Sequence, residues 1–543
     1  MIDSALSLPS QKFYEVHYWR SGFLRVSLLF LATFAFKSQP SLCVLSRDEL
    51  PVPPTKISQH RPGIDRRAPQ IKTPEDLHRL LLAEHRKTVP HRQHAFDPYR
   101  NVHSTTPQVR SIDHEIVSIN HLGDWGTQFA FLASGWPMVR PIASQWESMP
   151  DSERIRHLTD CYVQANQRAK ENPQYRAEVR ELFAKMEQDL TQNRQSKELE
   201  LWQEIREISL RYLNGFYKRF NVSIDNFIGE SEYVKETNKC VDQLKAQGIV
   251  YRNGEGLLVM DEGIEGKYAI LRKSDGSTVY LSREIACILH RDHLFKADAY
   301  WYVVDRSQQR HFEQLRQILD RIGRSDLAEK IHHIAYGRVI GLSTRKGRTE
   351  AVEEIVNKGR KLALDYVSRS PTVRVTDPKE YMAVAENLAT STVIVSDLKR
   401  AKKSEYRFSF DNAFAENQNN AVLLQERHSR LCSIEEHNAH LRSSLDELTV
   451  DPELETNPET VRLVDQLRGF EDALVSAFEK NEAAQLTVYL MRLANIAGSA
   501  ASALQIRDQT GDVAKQRLLL LSATRRVIAE GMALLGLDPL KKM

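Results

Sequence analysis

Ser343-Thr344-Arg345-Lys346-Gly347-Arg348 places three cations and two hydroxyls on one short loop. Such a loop suits a polyphosphate: Lys and Arg neutralise its oxygens, hydroxyls and backbone amides donate to them, and glycine lets the chain close over the ligand. A solvated basic turn is the commoner origin of such a run. The order is not a GxxxxGK[ST] phosphate loop. Tyr280, the acid Glu284 and Gln308 lie upstream. A phenol, a carboxylate and an amide converging on one pocket would read a cationic ligand rich in hydrogen bonds, such as a guanidinium. A third group is Asp124, Trp125 and Gln128, set among Gly123 and Gly126 at the end of an alternating stretch, Glu115 to Asn120. A strand end of this kind is a ligand position in an α/β sheet. An ordinary strand-to-helix turn with a packed Trp is an equal reading.

Other combinations carry less. Cys432, His437 and His440 have metal-like spacing on a helix that offers no fourth ligand, so a surface helix is the better reading. His332-His333 precedes a strand and reads as structural. No Ser-His-Asp set can be chosen. The five cysteines are dispersed, with no CxxC pair. This argues against a zinc ribbon or disulfide framework and fits a reducing compartment.

The elements that must position these groups form a consistent pattern. Ala299 to Val303 (AYWYV) and Ile334 to Leu342 (IAYGRVIGL) read as buried strands, and His311 to Leu319 as a helix. Gly248 to Leu281 reads as short strands with a hairpin at Ser274-Asp275-Gly276-Ser277. Ser152 to Phe220 is helical, with Pro173 as its breaker and its charges on a solvated face. Strands alternating with helices indicate an α/β domain with a mainly parallel sheet. From Val422 onward helical periodicity dominates. Leu463, Leu467, Phe470, Leu474 and Phe478 form one stripe, Leu486, Leu490, Leu493 and Ile496 another, and Leu518, Leu521, Val527 and Met532 a third. They predict a helical bundle.

The chain has 543 residues, enough for two or three domains, and 41% hydrophobic with 27% charged content, ordinary for a soluble protein. Global disorder, a collagen-like fibre and a polytopic membrane protein are disfavoured. The net charge of +3 confines any nucleic-acid contact to local patches. Phe23 to Phe36 is apolar but short for a membrane span, and suits a signal-peptide core or part of an organellar presequence, with a buried strand or helix as the alternative. Between Pro54 and Asp113 prolines and basic residues recur, and only Leu77 to His85 reads as helix; the rest reads as linker.

Together these pieces resemble arginyl-tRNA synthetase. The resemblance runs from Glu115 to Met543 and includes NHLGDWGTQF (120–129), IGESEY (228–233), RKSDGSTVYLSRE (272–284), YVVDRSQQRHFEQ (302–314), YGRVIGLSTRKG (336–347), EYRFSFDNAF (405–414), LLQERHSRLCSI (423–434) and GMALLGLDPLKKM (531–543). It looks nearer the mitochondrial branch than the bacterial one. It implies a Rossmann-like class I catalytic domain over 114–415, with helical insertions, and an all-α DALR-type anticodon-binding domain over 416–543, preceded by an atypical segment, 1–113. It implies ATP-dependent formation of arginyl-adenylate, with ATP as its magnesium complex and no tightly bound cofactor, then transfer to tRNA(Arg). The partners implied are tRNA(Arg), L-arginine and ATP, with a monomeric chain, no stable membrane association, and the mitochondrial matrix, or alternatively the cytoplasm, as the compartment. By motif, Ser343, Thr344, Arg345 and Lys346 would contact ATP phosphates. Gly337 and Val339 would line the adenine site. Tyr280, Glu284 and Gln308 would recognise arginine. Gln425, His428 and Arg430 would open the anticodon-binding domain as tRNA-binding residues.

Two departures stand out. Glu284 occupies a position where the family carries Asp, and its extra methylene moves the carboxylate by about 1.5 Å, which predicts weaker arginine binding. The family's HxGH signature, which should precede Glu115, is absent. His91-Arg-Gln-His94 has similar spacing, but Gln93 replaces the glycine, Pro98 and Pro107 would break the following helix, and the match reads as coincidence. Loss of a first strand and helix predicts a hole or exposed edge in the sheet and poor packing before residue 114. A catalytically impaired tRNA-binding relative is therefore the alternative to an active ligase.

Overall fold

The computed structural model describes residues 41–46, 116–263, 266–340, 352–369, 377–410, 414, 418–441, 457–509 and 511–543. The apolar stretch 23–36, the helix expected at 77–85, His91, His94 and the loop Ser343 to Lys346 lie outside these residues. Contacts divide the described chain into two units. One contains Glu115–Ala335 with Phe36–Asp48, the other Tyr336–Met543. Residues 336–415, grouped with the catalytic domain by sequence, pack in the second unit.

In the first unit the strands are β1 (Ser41–Ser46), β2 (Ile116–Leu122), β3 (Asn226–Gly229), β4 (Tyr251–Arg252), β5 (Leu258–Asp261), β6 (Tyr268–Arg272), β7 (Ala299–Asp305) and β8 (Ile331–Tyr336). A five-stranded sheet has the order β3-β2-β1-β7-β8. β2 and β3 are parallel, and β1 is antiparallel to both β2 and β7. The expected gap is thus filled, and by a segment from far upstream: Ser41 pairs with His121 and Ser46 with Ile116. The direction departs from the mainly parallel expectation. The carboxyl ends of β2 and β7 flank the start of β1, not its end, so β1 cannot launch a helix from that edge.

The helices are α1 (Thr127–Val139), α2 (Ala143–Ser148), α3 (Asp151–Glu171), α4 (Pro173–Thr191), α5 (Lys197–Arg219), α6 (Val234–Ala246), α7 (Tyr280–Phe295), α8 (Gln309–Arg321) and α9 (Ser325–Lys330). Pro173, expected as a breaker, opens α4: it sits in the first turn while the Asn172 side chain accepts from the Tyr175 amide. Ser196 caps α5 in the same manner. Trp125, Tyr175, Val179, Phe183 and Met186 join α1 to α4, and Trp136, Trp146, Leu158, Ile205 and Ile208 join α1 to α3 and α5. The sheet packs on α6, α7 and α8 through Ile119, Val241, Ile285, Tyr302, Phe312 and Leu315. The strand expected to run through Leu281 stops at Arg272. The Lys273–Ser277 turn follows, and Tyr280 already begins α7.

The second unit holds a two-strand ladder, β9 (Val339–Ile340) with β10 (Tyr406–Arg407), and helices α10 (Val352–Arg369), α11 (Pro378–Leu398), α12 (Ala421–His437), α13 (Pro458–Arg468), α14 (Phe470–Glu479), α15 (Ala484–Ala503) and α16 (Gly511–Leu534). The expected stripes supply its buried side, including Leu463, Leu474, Leu490, Leu521 and Met532, with Ile528 buried in place of Val527. The expected strand 334–342 is split at Gly337. A β-carbon there would collide with the carbonyl oxygens of Lys403 and Ser404, and the Gly337 amide donates to the Lys402 carbonyl at 2.7 Å. Glycine is required by that approach.

Candidate active site

A cleft of about 270 Å³ lies at the carboxyl end of β2, lined by Trp125, Gly126, Thr127, Gln128, Phe183, Glu230, Lys273, Thr278, Val279, Tyr280 and Arg283. Two turns form its walls. The first, β2 to α1, is held by Asp124. Its carboxylate accepts from Arg206 Nε at 2.8 Å, the Ser231 amide at 3.0 Å and Ser231 Oγ at 2.9 Å, and its carbonyl accepts from the Trp202 indole at 2.6 Å. Asp124 is thereby a brace, facing protein. A side chain on Gly229 would strike that carboxylate. At Gly126, φ is +152°, and a β-carbon would meet Gln128 Oε1. Glycine here lets Gln128 fold back along the cleft floor.

The second wall is the turn before α7. Arg283 donates to Glu230 Oε2 at 2.8 Å and to Thr278 Oγ1 at 3.0 Å. Burial pushes the Glu230 carboxyl up to about 7, against the pull of Arg283. Lys273 adds a cation 5.8 Å above the Phe183 ring. Thr278 and Trp125 both donate to Glu187, a buried acid on α4.

Three of the sequence-predicted residues, Trp125, Gln128 and Tyr280, therefore share one cleft. Glu284 does not line it. It is fully buried one turn behind Tyr280, with Oε1 3.3 Å from Arg291 Nη1 and Oε2 3.6 Å from His121 Nε2. Burial raises its carboxyl above the usual range, opposed first by Arg291 and then by the Tyr302 hydroxyl. His121 is held well below the usual imidazole range by burial and then by Arg291. The extra methylene expected to perturb arginine binding instead carries the carboxylate inward to a resident guanidinium. His121, Glu284 and Cys287 have ligand atoms within 4.8 Å of one another. However, Arg291 Nη2 lies 3.0 Å from His121 Nδ1, and a fixed positive charge in the cluster opposes a metal cation. Gln308 is buried just before α8, with Oε1 unpartnered, and the Tyr280 ring lies tilted against that of His311, three residues further on, at 4.5 Å between centroids.

Sequence reasoning missed Glu187, Glu230 and Arg283. Glu230 lay within a motif whose role was not assigned. Glu187 was assigned to a solvated face, yet it follows Phe183 by one turn, on a helix whose apolar stripe is Tyr175, Val179, Phe183 and Met186. An acid at the flank of that stripe was the available signal.

In the second unit, Gln425 and His428 are buried and hold the final residues, so the expectation that they touch RNA is corrected. Gln425 Nε2 donates to the Asp538 carbonyl at 3.0 Å, its Oε1 accepts from the Leu540 amide at 2.8 Å, and His428 Nδ1 lies 2.8 Å from the Leu540 carbonyl. Arg430 is exposed and donates weakly to Ser502 Oγ at 3.3 Å. Val339 pairs with Tyr406 across the β9–β10 ladder, whereas Gly337 lies in the break between β8 and β9.

Residues 104–410 match the family model for the class I tRNA synthetase (R) catalytic domain, and residues 424–543 match the DALR anticodon-binding domain. The first match spans more than half of the chain. The chain belongs to the class I arginyl-tRNA synthetase family. A Mus musculus protein named "Probable arginine--tRNA ligase, mitochondrial" is 31% identical over 437 residues, covering 80% of this chain and 72% of that protein. The "Probable arginine--tRNA ligase, cytoplasmic" of Schizosaccharomyces pombe is 30% identical over 451 residues, covering 78% and 70%. The crystal structure of arginyl-tRNA synthetase from Plasmodium falciparum superposes with a TM-score of 0.60 at 24% identity, covering 78% of this chain and 69% of that one, a likeness of fold. Among the described residues, no helix is long and apolar enough to cross a membrane.

Proposed function

We propose that this chain ligates arginine to tRNA(Arg) in an ATP-dependent reaction. The arginine carboxylate attacks the α-phosphorus of ATP, presented as its magnesium complex, to give arginyl-adenylate and pyrophosphate. A terminal ribose hydroxyl of the tRNA then displaces AMP. The observation that carries the residue assignments is the cleft between the two turns. Glu230, the carboxylate among the described lining residues, gives one oxygen to Arg283, and the other is the acceptor for the substrate's cationic end. Tyr280 and Gln128 add to the polar lining, and Gln308, outside the lining, is the remaining residue assigned to arginine. Lys273 faces the substrate carboxylate. Gly337, in the break between β8 and β9, and Val339 on β9 line the adenine site, and Ser343, Thr344, Arg345 and Lys346 approach the phosphates. The chain works as a monomer, without membrane attachment or a tightly bound cofactor, in the mitochondrial matrix. The mitochondrial relatives support the compartment.

Arginylation of tRNA(Arg) by the purified full chain, with labelled arginine, ATP and magnesium, tests this reading. Charging above a no-enzyme control is the expected outcome. No charging and no tRNA-dependent ATP–pyrophosphate exchange, with tRNA binding retained, would overturn it in favour of the impaired relative. The reversed β1 gives that second outcome a physical basis, because a strand running this way ends at the opposite edge of the sheet from the carboxyl ends of β2 and β7 and cannot deliver a helix N-terminus to phosphates there.

A further inference from the structure

Glu187 stands outside the expected set of site residues, yet it touches both walls of the cleft. Its Oε2 accepts from the Trp125 indole at 3.2 Å. Its Oε1 accepts from the Thr278 amide at 3.0 Å and from Thr278 Oγ1 at 3.2 Å. Trp125 belongs to the β2–α1 turn, and Thr278 to the turn that starts α7 two residues later with Tyr280. Thr278 also passes the contact on, since its hydroxyl and carbonyl both accept from Arg283 Nη1, and Arg283 holds Glu230. One carboxylate, 6% exposed, therefore spans the two turns and ends a chain of bonds that leads to the cleft's own acid.

We propose that Glu187 is the positioning residue that sets the width of the arginine cleft, acting through Trp125 on one wall and Thr278 on the other. This rests on the assignment of the cleft to arginine. The chemistry requires an acceptor on both oxygens. An indole N–H, an amide N–H and a hydroxyl are all available as donors, and only an ionised carboxylate accepts from all three without turning a donor toward a donor. A glutamine keeps one arm and opposes the other with its NH₂. An aspartate is one methylene too short to reach both.

The test compares the full-length chain with Glu187→Gln and Glu187→Asp in steady-state arginylation, with arginine varied. The KM for arginine is expected to rise about tenfold in each, with kcat changed by less than about threefold, tRNA affinity unchanged, and altered Trp emission from the freed indole. A fall in thermal midpoint with an unchanged arginine KM would overturn the proposal, because it marks Glu187 as a packing residue only. Should the parent chain fail to bind arginine at all, the functional assignment fails by itself. Amide exchange over residues 274–284 then decides the clamp: faster exchange at Thr278 in Glu187→Gln supports it, and equal exchange overturns it.

Discussion

The two units bury polar groups of different kinds. Around the cleft of the first unit the buried set includes Asp124, Glu187, Glu230, Arg283, Glu284 and Arg291. In the second unit it is mostly neutral: Thr390, Ser391, Asn420, Gln425, Thr487, Gln516 and Thr524, with Glu435, paired to Arg525 at 2.6 Å, as a charged member. Taking ions out of water is costly unless each meets a partner, whereas amides and hydroxyls need only hydrogen bonds. The first unit keeps charge inside where a charged substrate must be read and reacted. The second uses amides and hydroxyls to fasten helices and tail. Buried charge here lines and braces the cleft, and buried neutral polarity fastens helices.

The sharpest way to break this contrast is Arg291→Met. It strands the Glu284 carboxylate and is expected to cost the first unit about 3–5 kcal/mol. Five of the six tryptophans lie in that unit, so urea unfolding followed by Trp emission isolates it. A loss under 1 kcal/mol would mean that the pair is not holding the interior. Gln425→Leu should do the converse. It leaves the Leu540 amide without its side-chain acceptor and takes one donor from the Asp538 carbonyl, which keeps Asn387 Nδ2, for about 2–4 kcal/mol in the helical unit, seen by circular dichroism with little early change in Trp emission. Coincident loss of both signals would show that the units do not respond separately.

Smaller effects concern the cleft. With the Glu230 carboxyl at about 7, protonation removes the negative charge that receives arginine as pH falls, while the guanidinium stays charged. Arginine affinity should therefore rise about tenfold from pH 6 to pH 8 and level off above, and Glu230→Gln should flatten the profile. Calorimetric titration across that range checks both. The smallest effect is expected for Glu284→Asp. Because Glu284 faces Arg291 away from the cleft, arginine affinity should stay within about threefold of the parent. A large gain would restore the view that this carboxylate reads the substrate.

Local signals carried much of the fold. The AYWYV run is a central-sheet neighbour, the Asp275-Gly276 turn closes where expected, and the leucine stripes pack the bundle. The cleft was partly legible, because Trp125, Gln128 and Tyr280 stand in short, dense motifs. Glu187 was not, since an acid in a Glu- and Lys-rich helix resembles its solvated neighbours until Thr278, 91 residues away, is brought to it. The roles of Gln425 and His428 were hidden for the same reason: their partners return from more than 110 residues downstream. β1 was not foreseen at all: Ser41–Ser46 lies between the two stretches the sequence singled out, and no local signal says which way a strand runs beside its neighbours.

Helices α3 to α5 interrupt the α/β pattern in the manner of an exchangeable module. Their seams argue otherwise. Tyr217 meets Asn120, Arg206 and Trp202 meet Asp124, and Glu187 meets Trp125 and Thr278. A chimera that transplanted the helices without these side chains would remove hydrogen bonds at a stroke from Asn120 on β2 and from Asp124, Trp125 and Thr278 in the cleft's supporting turns. The boundary of the inheritable unit therefore runs through hydrogen bonds and not through loops.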